Sequence, residues 1–176
     1  VAHSIFYAPQ YAAIELGYFK DEGIALTLVN GAGADKVMTA LISGDADIGF
    51  MGSEASIYVY QEGSADYAVN FAQLTQRAGN FLVGRSAEPD FSWQDLKGKK
   101  VLGGRAGGMP EMVFEYILKK NGIDPKNDLT IDQSINFGLT AAAFTSNDAD
   151  YTVEFEPFAT TLETEGNGTV VASLGV

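Results

Sequence analysis

The chain has no cysteine, a single histidine and a single tryptophan among its 176 residues, and 23 acidic against 11 basic side chains. Each shortage excludes something. Without cysteine there are no disulfides, thiolate nucleophiles or thiolate metal sites, which suits an exported protein that avoids stray oxidation. One histidine, His3, cannot build a histidine-rich metal centre, and no acidic run has calcium-loop spacing around a central glycine. Neither metal nor cofactor is therefore expected. A formal net charge of −12 has the wrong sign for gripping nucleic acid or anionic lipid. No apolar run approaches the roughly 18 residues needed to cross a bilayer. No signal peptide precedes Val1, so the sequence reads as a mature or trimmed chain. No fixed-period repeat, low-complexity tract or coiled-coil heptad is present.

What is present is ample core: 46% of the residues are hydrophobic. Short apolar runs alternate with helical stretches, which predicts α/β units around a mostly parallel sheet. Helices are expected over residues 9–19, 34–43, 54–60, 140–144 and 157–162, with a further turn at 93–96. Pro9 opens the first of these, Val37, Leu41 and Ile42 form the stripe of the second before Gly44 stops it, and the Ser53 hydroxyl is placed to cap the third. Strands are expected over residues 24–29, 48–51, 67–76, 81–83, 129–131, 151–155 and 170–174. The texture turns polar over residues 85–100, which predicts two linked halves, 1–78 and 79–176. The aromatic pairs Tyr58/Tyr60 and Phe114/Tyr116 lie on apolar elements and read as core. Asn167-Gly168-Thr169 fits a glycosylation sequon, although Asn-Gly between structured segments reads better as a turn.

The stretch VLGGRAGGMPEMVFEYILKKNG, residues 101–122, runs from a strand through four glycines into a helix. A phosphate-binding Walker loop needs lysine and then serine or threonine after its last glycine, where Met109 and Pro110 stand instead. The dinucleotide spacing G-x-G-x-x-G is absent as well. What remains is a helix start whose unbonded first-turn amides suit a carboxylate, sulfonate or phosphate, or any acceptor atom, or else a purely structural turn. Arg105, Gly107, Gly108 and Met109 are its candidate ligand contacts.

Ligands of open α/β sheets gather where strands end, so the other candidates come from strand-end loops. His3, Phe6 and Tyr7 offer aromatic faces and hydroxyls, unless Phe6 is core and His3 frayed. Gly52, Ser53 and Glu54 present a polar helix start, unless Ser53 is only a cap. Gln73, Thr75 and Arg77 sit near the proposed boundary, where Arg77 is either an anchoring fork or a solvated charge. Glu156 follows a strand and precedes a helix, where it could accept from a ligand amine or simply favour the helix start.

Four ordered segments together carry a resemblance: FYAPQYAAIELGYFKDEGIALTLV, ALISGDADIGFMGSE, LKGKKVLGGRAGGMPE and DYTVEFEPFATTLETEGNGTVVASLG. They resemble the solute-binding proteins of ABC transporters that take sulfonates, nitrate and thiamine pyrimidines, the NMT1/THI5-like family. The resemblance implies a two-lobed periplasmic-binding-protein fold of type II, with solute trapped between the lobes and delivered to a membrane permease. It implies a monomeric, extracytoplasmic protein, free in a periplasm or lipid-anchored, and no enzymatic chemistry. Family members are longer and their chain returns to the first lobe, so an incomplete first lobe is expected here. Two alternatives share the fold: enzymes of pyrimidine synthesis, whose cysteine motif has no counterpart in this chain, and ligand-sensing halves of regulators, whose DNA-binding module is not in it.

Overall fold

The computed structural model describes residues 4–31, 33–136 and 138–175, and the chain divides into two compact units, Val1–Leu74 and Thr75–Val176. His3 lies outside the described residues.

In unit 1 a single 3-10 turn, Ile5–Tyr7, leads into α1, Ala8–Glu15, with proline in its first turn. The expected helix 9–19 is broken in two. Gly17 takes a left-handed φ of +80°, ends α1 by donating its N–H to the Ile14 carbonyl at 3.1 Å, and starts α2, Tyr18–Asp21. The third helix, α3, spans Ala34–Ser43 and stops at left-handed Gly44, as its sequence dictates. Its buried face is Val37 and Met38, while Ile42 is turned to solvent. The fourth, α4, spans Glu54–Gln61. Ser53 already has helical dihedrals and its side chain caps nothing, so the hydroxyl cap predicted from the sequence is not made. Tyr58 and Tyr60 are exposed, not core.

The apolar segments 24–29, 48–51 and 67–76 are not strands. A strand exists only where another backbone lies alongside to exchange hydrogen bonds, and every strand among the described residues belongs to unit 2. Without that partner the alternating side chains stay outside: Val29 is 77% and Phe71 78% exposed.

Unit 2 is built on five strands: β1, Asn80–Gly84; β2, Lys100–Leu102; β3, Thr130–Asp132; β4, Tyr151–Phe155; and β5, Thr169–Ser173. They lie in the order β3-β2-β4-β1-β5. The sheet is mixed and not mostly parallel. β2 pairs parallel with β3 and β4, whereas β1 runs antiparallel to both β4 and β5. Four strands therefore point one way, and their carboxyl ends share an edge with the start of β1. Chain arrival and departure also meet there, where the Leu174 N–H donates to the Asn80 carbonyl at 3.0 Å.

Alternation along the strands splits the core. Leu82, Val101, Tyr151 and Val153 face α5, Met109–Lys120, which contributes Phe114 and Leu118. Val83 and Leu102 face the other way, toward Phe144 of α6, Thr140–Ser146, and Ala159 and Leu162 of α7, Phe158–Thr164. Phe114 is fully buried, but Tyr116 is 58% exposed, so only one member of that aromatic pair is core. A turn carrying Asn167 and Gly168 joins α7 to β5, with both amides donating to the Leu162 carbonyl. The polar connection before β2 is pinned by Arg85, whose Nε donates to the Ala149 carbonyl at 2.8 Å and whose guanidinium stacks 3.8 Å from the Phe144 ring.

Candidate functional site

The strand-end edge of unit 2 gathers the segment 103–108 after β2, the segment after β3, Glu156-Pro157 after β4, and the approach to β1. Segment 103–108 is shaped by left-handed Gly104 and Gly107, with φ of +83° and +73°. The Gly108 N–H donates to the Arg105 carbonyl at 3.1 Å, and the helix proper begins when the Met112 N–H reaches the Gly108 carbonyl at 3.0 Å. Arg105 and Gly107 are exposed, and Gly108 and Met109 half-buried.

The helix start is not an open row of donors. Glu111, the third residue of α5 and 6% exposed, folds its carboxyl group back over it. Its Oε2 accepts from the Gly107 N–H at 3.2 Å and its Oε1 from Gln133 Nε2 at 2.9 Å. Burial, then the neighbouring Glu115, pushes the Glu111 carboxyl up to about 7. Glu115 moves the other way, lowered chiefly by the Lys119 ammonium 2.7 Å from its carboxylate.

At the end of β4, Glu156 is half-buried and its Oε2 accepts the Thr160 N–H of α7 at 3.1 Å, so it serves the first turn of that helix. Its neighbour Glu154 escaped the sequence reading. It is 2% exposed on the central strand, accepting from Thr152 Oγ1 at 2.7 Å and Thr140 Oγ1 at 3.0 Å, and burial pushes it up to about 7. The signal was available: in YTVEF, alternation puts Glu154 on a core face beside Thr152. Asn80, fully buried at the start of β1, was missed too. Neither its Oδ1 nor its Nδ2 has a hydrogen-bond partner among the described residues.

Unit 1 brings together residues that the sequence placed far apart. Tyr7 meets Phe6 and Phe50 edge-on, with ring centroids 5.3 and 4.9 Å away. Burial, then the charge of Glu54, pushes the Tyr7 phenol up to about 12. The Glu54 carboxylate, buried, lies over Gly52 so closely that a Cβ there would collide with it. Phe50 is the aromatic member that sequence reasoning did not single out. Ser53 is exposed. Gln73 and Arg77 are exposed and Thr75 half-buried, on the stretch where one unit gives way to the next.

Comparison with solved structures assigns the class of fold. The alkanesulfonate-binding protein SsuA from Xanthomonas axonopodis pv. citri, bound to MOPS, matches 96% of this chain with a TM-score of 0.70 and 21% identity, over 56% of its own length. The periplasmic aliphatic sulphonate binding protein SsuA from Escherichia coli matches 92% with a TM-score of 0.68 and 18% identity, over 54% of its length. The fold is thus the mixed α/β fold of periplasmic binding proteins. The NMT1/THI5 like family model matches residues 5–174, and the chain belongs to that family. A curated relative, "Putative binding protein YtlA" of Bacillus subtilis (strain 168), is 50% identical over 175 residues, 99% of this chain and 52% of the relative. The chain spans about half the length of these proteins.

Proposed function

We propose that the protein is a non-enzymatic, extracytoplasmic solute-binding component of an ABC importer, which captures a small molecule and hands it to a membrane permease. The observation that carries this reading is the 50% identity, across 99% of the chain, to a protein named for binding. The two sulfonate-binding structures of the same fold agree with it, as does an edge where strand ends and a long helix start converge on polar side chains. In this reading the two compact units are the lobes, with candidate ligand contacts at Tyr7, Gly52 and Glu54 in unit 1 and, separately, at the 105–109 loop and Glu156 in unit 2. Sulfonates, nitrate-like anions and pyrimidine or vitamin precursors are the solute classes to try.

Thermal denaturation of the protein against that panel tests the proposal. A saturable rise in melting temperature with one class, and recovery of that compound unchanged by mass spectrometry, is the expected result. A converted compound would favour an enzyme, and no shift with any class would count against solute binding.

A further inference from the structure

We propose that Glu111 sets the charge of solute that the strand-end face of unit 2 accepts, turning away oxyanions such as sulfonates and nitrate and admitting neutral or cationic solutes. This rests on the reading of that face as part of a solute site. An oxyanion docks on a helix start through unpaired amide donors. On α5, the one helix of unit 2 longer than seven residues among the described residues, the amides of the two glycines that lead into the helix are already committed, Gly108's to the Arg105 carbonyl at 3.1 Å. Gly107 gives its N–H to Glu111 Oε2 at 3.2 Å, and Pro110 has no N–H to give. Gln133 reaches in from the segment after β3 and spends its Nε2 on Glu111 Oε1 at 2.9 Å.

Glu111 is 6% exposed, so its carboxyl group cannot swing aside without leaving the amides of Gly107 and Gln133 unpaired. Glu115, one turn along, adds a carboxylate held in its charged form by Lys119 at 2.7 Å. An arriving oxyanion would have to displace the resident carboxyl group and then face this second one. A solute bearing N–H donors or positive charge meets acceptors instead. The occupancy argument holds whether or not Glu111 carries its proton, because both protonation states leave an oxygen on the Gly107 amide.

The test is calorimetric titration, with thermal denaturation, of the protein and of Glu111→Ala, Glu111→Ser and Glu111→Gln. The probes are sodium methanesulfonate, sodium nitrate and 4-aminopyrimidine. Glu111→Ala frees both donors, and a gain in oxyanion affinity of about tenfold or more is expected, as for a new charge-assisted hydrogen bond. Added nitrate should then raise the melting temperature of Glu111→Ala more than that of the parent. Glu111→Ser reads the same effect if the alanine variant does not fold. A similar gain in Glu111→Gln assigns the exclusion to charge, and a smaller one to occupancy of the donors. Oxyanion binding by the parent as tight as by Glu111→Ala overturns the role of Glu111 and leaves solute binding standing. No response of parent or variants to any of the three probes overturns both.

Discussion

The Thr140 hydroxyl lies 3.0 Å from Glu154 Oε2, tying the first turn of α6 to a carboxyl group buried in the centre of the sheet. Thr152 supplies the second hydroxyl, at 2.7 Å to Oε1. Two hydroxyl donors hold the carboxylate in place, yet they do not offset the burial that raises its pKa from 4.5 to about 7.

That shift makes stability depend on pH. A carboxyl group whose pKa is higher folded than unfolded stabilises the fold fully below about 4.5 and loses that contribution as pH climbs to about 7. The gap is worth ~3 kcal/mol. Urea midpoints measured from pH 4 to 8 should therefore fall with rising pH, and Glu154→Gln should flatten much of the slope. Glu111 titrates over the same window and accounts for a remainder. An unchanged slope in Glu154→Gln would mean that Glu154 is not the buried acid. Thr140→Val removes one donor to the ionised form and should lower stability at pH 8 by ~1–2 kcal/mol, with less effect at pH 4.

Replacing Asn80 with leucine should stabilise the protein. A buried carboxamide with no partner at either atom carries a desolvation penalty that an apolar side chain of similar volume does not. A gain of ~1–2 kcal/mol in denaturant unfolding is expected. A loss of that size would show that the carboxamide has a partner in solution, such as an ordered water.

Glycines of the 103–108 segment answer to different constraints. A Cβ on Gly103 would run into the Ile131 side chain, so Gly103→Ala should cost ~1–3 kcal/mol through overpacking. Gly107→Ala should cost ~1–2 kcal/mol for a different reason, its φ of +73°. Thermal denaturation of both variants checks this. Valine at Gly107 would bring the same backbone strain, so a loss of binding in such a variant could not be separated from a loss of fold.

Tyr7 offers a spectroscopic reading of unit 1. Because Glu54 is the second cause of its raised pKa after burial, Glu54→Gln should move the phenol from about 12 back toward 10. Ultraviolet titration shows this as a phenolate step at lower pH, and Tyr7→Phe removes the step and so assigns it. An identical titration in Glu54→Gln would separate the two groups.

Where local signals and packing agree, the fold was readable. Gly44 stops α3 where its position predicts, and the alternation of YTVEF marks β4 residue for residue. Segment 24–29 alternates as well, but a strand is a property of a pair of backbones, and no sequence stretch shows whether its partner lies alongside. For the same reason β1 looked like its parallel neighbours: residues 80–84 encode burial on both faces, not direction. The glycine-rich start of α5 was legible in the sequence, whereas the carboxyl group that folds back over it was not. Glu111 stands four residues from Gly107 along the chain, and only the fold of the loop between them lets its side chain turn back. Gln133, its second partner, comes from the segment after β3, more than twenty residues further along the chain.

The bond from Leu174 to Asn80 has a consequence for engineering. β1 and β5 are neighbours in the sheet, so residues 80 and 174 lie side by side. A short peptide would suffice to join these two positions, and loop closure that short costs little entropy. Unit 2 is therefore well placed to be grafted into a surface loop of a host protein, or to be opened at a new position such as the turn after Asn121, with its sheet order kept.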